Sequence, residues 1–245
     1  SEFEEIPTVE AMNLMKFDVS TFGNHEHDRD MAHIVKMINL STNKWVVSNY
    51  SSLTPLNTGA NKVTDYVIIE RGGIKLGVVG MNTPETVDVV LPSNLSGITI
   101  SPDTAYINKA IAKAKAAGAD LVVVLNHQGW AENKNGVASG TLNTSAAGIK
   151  GAAVVFGGHS HLQYSTISSN NRWAPAQVVA QVPNSGLSYN QVSVCMNSTK
   201  VIGAHVNVVT TASISKLTPD ATAAALVKKY KDQVSAKLDV KIGQV

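Results

Sequence analysis

The stretch Leu121-Val122-Val123-Val124-Leu125-Asn126-His127-Gln128-Gly129 decides how this chain is read. Five consecutive apolar residues, β-branched at the centre, suit a strand buried on both faces of a sheet. They end in a polar step that carries a histidine and closes on a glycine. The pattern recurs where Ala152–Phe156 runs into Gly157-Gly158-His159-Ser160-His161, and where Phe17–Phe22 runs into Gly23-Asn24-His25-Glu26-His27-Asp28. In an open α/β sheet, ligands bind beyond the carboxyl ends of the strands. Three such loops, with five of the seven histidines, can therefore converge on one spot. Their glycines permit tight turns and close backbone approach, so imidazoles from separate strands can point inward.

Outward from these strands, helical and extended patterns alternate, which predicts an α/β layered sheet. Glu4–Met15 and Arg29–Ile38 carry helical apolar stripes, and Pro102–Ala117, closed by Gly118, is the clearest helix. Lys44–Ser48 reads as a strand. Val63–Glu70 and Ile74–Gly80 flank Gly72-Gly73 and predict a hairpin. From Gln177 to Val209 the texture is alternating Val/Ile strand, and Pro219–Leu238 is a terminal helix. No repeat or low-complexity linker divides the chain, so residues 1–245 are expected to form one domain.

Composition narrows the function. The 245 residues are 44% apolar and 16% charged, enough for a folded core. A net charge of +2 and 5% aromatics give no footprint for nucleic acid, so no nucleic-acid partner is expected. No apolar run nears the roughly 20 residues of a membrane-spanning helix. The single cysteine, Cys195, excludes an internal disulfide and is expected to be a small buried hydrophobe. Asn-x-Ser/Thr sequons stand at Asn39, Asn49, Asn94, Asn143 and Asn197, a faint hint of export in so Asn- and Ser-rich a chain. No Gly-x-Gly-x-x-Gly opens a helix after a first strand, which argues against a dinucleotide-binding fold.

The three loops together suit a metal. Neutral imidazoles and an amide oxygen, with no thiolate at hand, favour Zn, Mn, Fe, Co or Ni. In His159-Ser160-His161, an extended backbone would send both rings to one side, toward one metal or two neighbours. Glu26 is expected to hydrogen-bond the loop backbone. His33, His205 and His27 are expected to be structural, with His27 filling a packing position.

Gly-Asn-His-Glu-x-Asp, Asn-His-x-Gly and Gly-Gly-His-Ser-His, in that order, resemble the motif set of calcineurin-like metallophosphoesterases. With Val9-Glu10-Ala11-Met12-Asn13 and Phe17-Asp18 ahead of the first motif, the chain is similar to the branch of 5′-nucleotidases, 2′,3′-cyclic phosphodiesterases and UDP-sugar hydrolases. The resemblance implies a layered α/β/β/α sandwich. It implies that Asn24, His127 and His159 bind one divalent metal and His161 a second, with Zn or Mn expected. It also implies that His25 is the catalytic histidine, oriented by Asp28, in hydrolysis of a nucleotide or other phosphoester by metal-activated water. A cyclic-nucleotide or sugar-nucleotide substrate, and a non-catalytic protein that keeps the fold, are the alternatives. Secreted, periplasmic or cell-surface location is implied too.

The family opens with Asp-x-His and Gly-Asp at its first two strand ends, and neither occurs here; none of the eighteen glycines precedes an Asp. The chain is therefore expected to lack the family's first strands. It would be an internal piece of a larger enzyme or part of a nicked one, weak in metal binding and turnover alone. The missing segment would be supplied as a separate chain, or the chain would form a homodimer. Residues 219–245, ending Lys241-Ile242-Gly243, are expected to connect to a further domain.

Overall fold

A computed structural model of the protein describes residues 3–132, 135, 137–166, 177–197, 200–214 and 216–238. Three short parallel strands, β1 (Val19–Thr21), β2 (Lys44–Val46) and β3 (Val63–Thr64), form one sheet in that order. A six-stranded sheet is built from β4 (Tyr66–Arg71), β5 (Ile74–Met81), β6 (Leu121–Asn126), β7 (Val154–Phe156), β8 (Tyr164–Ser165) and β9 (Val178–Gln181). Its order is β4-β5-β6-β7-β9-β8, with β5, β6, β7 and β9 parallel and the two edge strands antiparallel. A long hairpin of β10 (Ser188–Asn197) and β11 (Lys200–Thr210) completes the strands. The helices are α1 (Ile6–Leu14), α2 (Met31–Leu40), α3 (Thr86–Val89), α4 (Ala105–Ala116), α5 (Thr141–Gly148), α6 (Thr211–Ile214) and α7 (Ala221–Leu238).

Side-chain parity sorts these elements into layers. On one face of the large sheet, Val79, Met81, Val122, Val124 and Val155 pack against Ile107, Ala110, Ile111 and Ala114 of α4 and Leu142 and Ala146 of α5. The α4 residues recur at helical spacing, and the helix stops at Gly118, whose φ of +92° is open to glycine. On the opposite face, Val123, Val154, Val178 and Ala180 meet Ala204 and Val206 of the hairpin. The small sheet packs on that face as well. A β-carbon on Gly80 would lie 2.1 Å from the Val46 carbonyl oxygen, so bare backbone at Gly80 lets the two sheets approach. Beyond the small sheet, Phe22, Trp45 and Val47 pack against Ile34 and Ile38 of α2. The result is the expected α/β/β/α order. Each fully buried Val, Leu or Ile in it contributes about 1.5–3 kcal/mol.

The Gly72-Gly73 turn is a two-residue hairpin loop with φ of +56° and +79°, closing the pair Arg71↔Ile74. Other expectations change. Val63–Glu70 is two strands in two sheets, broken at Asp65, which receives the Ser48 hydroxyl on its carbonyl and pairs its carboxylate with Lys113. Cys195 is exposed, contrary to the expected burial. On β10 it shares parity with Gln191 and Ser193, while Val192 and Val194 turn to the core. Two sequons are closed off: Asn49 and Asn94 are 0% and 5% exposed. Helix α7 rests on the first segment, with Phe3 and Tyr230 ring centroids 4.9 Å apart and Lys229 on Glu10. Among the described residues no helix is long and apolar enough to cross a membrane. Lys241-Ile242-Gly243 lies outside the described residues.

Candidate metal centre and active site

After β1 the chain makes one 3-10 turn, Asn24–His27. The Gly23 backbone N–H donates to Glu26 Oε2 at 2.6 Å and closes it, as expected for Glu26. The turn sends Asn24 and His27 inward and leaves His25 with 75% of its side chain exposed. His27 is fully buried, its Nε2 2.5 Å from the Tyr50 hydroxyl. The Asn82 amide donates to Tyr50 Oη at 2.7 Å and to the Gly23 carbonyl at 3.3 Å. From another loop the Asn94 amide donates to the His27 carbonyl at 2.9 Å. The turn is thus held by buried side chains, and His27 belongs to that support.

The second and third loops are tied to each other. Behind His127, whose N–H donates to the Met81 carbonyl, the Gln128 carbonyl accepts from Gly158 N–H at 3.0 Å. The Ser160 hydroxyl donates to the Trp130 carbonyl at 2.6 Å, and the Gln181 amide donates to Ser160 Oγ at 2.8 Å. The Trp130 N–H donates to Gln181 Oε1 at 3.0 Å, closing a ring across the loops after β6, β7 and β9.

These supports bring three of the expected residues together. Asn24 Oδ1 lies 3.1 Å from His127 Nε2 and 3.1 Å from His159 Nδ1, and the two rings are 5.3 Å apart. His25 Nδ1 lies 2.9 Å from Asp28 Oδ2. Burial first, then the imidazoles of His159, His25 and His161, push His127 down to about 4, so its ring is neutral at pH 7. The extended geometry expected for His159-Ser160-His161 is not found. Both histidines are left-handed, with φ of 68° and 61°, and Ser160 N–H turns back to the Gly158 carbonyl. His159 therefore joins Asn24 and His127, while His161 stays exposed and reaches the group only at electrostatic range.

Sequence reading passed over Glu85. Its Oε2 is 3.0 Å from His159 Nε2. Glu85 follows β5 in a fourth strand-end loop, Asn82-Thr83-Pro84-Glu85, so the rule that selected the other three would have found it. Gln181, at the end of β9, carries the same signal.

A strand-end cluster of histidines and an asparagine on a four-layer α/β/β/α sandwich defines a metallophosphoesterase-like hydrolase fold. The chain belongs to the calcineurin-like phosphoesterase family, whose model matches residues 5–163. It is 26% identical over 240 residues to the endonuclease YhcR of Bacillus subtilis, covering 94% of this chain and 19% of that protein. To an apyrase of Tabanus yao it is 32% identical over 155 residues, 63% of this chain and 26% of the other. Among solved structures, the calcineurin-like phosphoesterase YfkN of Bacillus subtilis superposes with a TM-score of 0.75 at 21% identity, over 96% of this chain and 75% of that one. The chain spans 18–29% of the length of the first curated relatives it matches.

Calcineurin-like phosphoesterases use divalent metal ions. The residues here fit one. Among the described residues no group of three His, Cys, Asp or Glu is placed to hold a metal, so the amide oxygen of Asn24 completes the set with two imidazole nitrogens. That mixture of donors suits a divalent first-row metal.

Proposed function

We propose that this chain is the metal-dependent hydrolytic domain of a phosphoesterase acting on nucleotides. The observation that carries the reading is the convergence of Asn24, His127 and His159 beside the His25–Asp28 pair. Asn24, His127 and His159 would hold one divalent ion, Zn or Mn, and His161 would serve a second. A bound metal supplies Lewis-acid polarisation of phosphoryl oxygens and lowers the pKa of its water. Asp28 accepts from His25 Nδ1–H, which steadies the ring. His25 then gives the Nε2 proton to the leaving oxygen as the P–O bond breaks and water adds to phosphorus. Nucleotides are the favoured substrates because relatives include an apyrase. We read residues 1–245 as one domain with residues 219–245 as a connector toward a further one, and the location as extracytoplasmic. A second chain, as a homodimer or as a supplied segment beside edge strand β1, would complete a two-metal site.

The test is phosphate release from AMP by the metal-stripped chain, with and without added Mn or Zn. Slow release that depends on metal and is lost in His25→Ala is expected. Metal binding without any release, alone or mixed with an N-terminal segment of a relative, would instead favour a non-catalytic protein.

A further inference from the structure

We infer that Glu85 is a positioning residue that fixes the His159 ring so that Nδ1 is the ligand atom. This deepens the proposed function and rests on the reading of His159 as a metal ligand. An ionised carboxylate only accepts hydrogen bonds, so at 3.0 Å from Glu85 Oε2 the His159 Nε2 carries the hydrogen and donates it. A neutral imidazole has one N–H, which leaves a lone pair on Nδ1. Nδ1 faces Asn24 Oδ1 at 3.1 Å, and an amide oxygen is also only an acceptor. Two acceptors turned toward each other call for a cation beside them, and His127 Nε2 lies 3.1 Å from the same oxygen.

Glu85 is well supported for this task. Thr83 and Thr86 on either side are fully buried, and the Thr86 hydroxyl donates to the Thr83 carbonyl at 2.7 Å. Thr83 N–H donates to Asn82 Oδ1 at 2.7 Å, and Glu85 N–H to Thr83 Oγ1 at 3.3 Å. Asn82 is the residue that also holds Tyr50 and Gly23, so one loop braces both the Asn24 turn and the His159 ring. The Glu85 side chain is 52% exposed, and a hydrogen bond so placed adds little to folding stability. Its effect is on ring orientation and on which nitrogen carries the proton.

The experiment compares the 15N-labelled 245-residue chain with Glu85→Ala and Glu85→Gln. Long-range 1H–15N spectra of the metal-free proteins report the His159 tautomer, and Zn2+ titration against a chelator reports affinity. The wild type should show the Nε2–H form. Glu85→Ala should mix the tautomers and weaken Zn2+ binding roughly 10–100-fold with thermal stability unchanged, and Glu85→Gln, which keeps an acceptor, should lose less. An Nδ1–H tautomer in the wild type, or equal spectra and affinity in Glu85→Ala, overturns the inference. A wild type that binds Zn2+ no better than His127→Ala overturns the metal reading itself, which separates the two failures.

Discussion

The ring of His127 lies against the backbone of Gly23 so closely that a β-carbon there would sit 2.5 Å from Nε2. With the ring so placed, no residue but glycine leaves room for it. Gly23→Ala should push the ring off Asn24, lower unfolding free energy by about 1–3 kcal/mol and weaken Zn2+ binding. Urea denaturation alongside Zn2+ titration checks both; unchanged binding would show that His127 is not a ligand.

Asn24 permits a test with two signs. Asn24→Ala removes the shared oxygen and should reduce metal affinity. Asn24→Asp replaces it with a charged oxygen of nearly the same shape and should raise affinity for Mn2+ or Zn2+. Equilibrium dialysis separates the variants, and a loss in both would point to a structural amide.

His25 should be separable from the metal set, since its side chain is exposed and its hydrogen bond goes to Asp28. His25→Ala should reduce metal-dependent phosphate release by about 10²–10⁴-fold while bound metal is retained. Asp28→Asn should cost less. Metal analysis of the assayed protein distinguishes this from loss of the site.

His27 gives the fold an acid-sensitive point. Burial holds its pKa at about 4 against 6.5 for the free side chain, and Nδ1 has no hydrogen-bond partner among the described residues. Between those values the unfolded chain binds a proton that the folded chain refuses. Stability is therefore full above about pH 6.5 and falls as pH drops toward 4, by about 3 kcal/mol from this residue. In His27→Phe the fall in Tm between pH 7 and pH 4.5 should be shallower. An identical slope would mean that His27 does not set it.

Gln181 should matter beyond its own burial. Gln181→Leu removes the donor to Ser160 Oγ and leaves the Trp130 N–H without its acceptor, at a cost of about 1–3 kcal/mol. It should also loosen the loops of His127 and His159, read as faster amide exchange at Gly158 and Trp130.

Periodicity and turn chemistry made most of the fold legible. The α4 stripe, the Gly72-Gly73 hairpin and the two-faced apolar strands β6 and β7 all form where their residues predict. Helix α5 did not announce itself, because Thr141-Leu142-Asn143-Thr144-Ser145 is a poor helix sequence and is held in place by Leu142 and Ala146 in the core. At the site, the placement of Asn24, His127 and His159 follows from three strand ends that local pattern could find. The left-handed turns at His159 and His161 could not be read, since nothing in Gly-Gly-His-Ser-His marks the histidines rather than the glycines as the turning residues. Nor could the buried brace of Asn49, Tyr50, Asn82 and Asn94, whose members meet only in three dimensions.

The two left-handed histidines set chemistry and folding at odds. Each occupies a backbone region that glycine or asparagine enters more easily, at a strain of order 1–3 kcal/mol. A lineage that exchanged His159 and His161 for those residues would lose its imidazoles and gain a more relaxed loop. Inert descendants should therefore be at least as sturdy as working ones, and a high melting temperature in this fold is no sign that the chemistry survives.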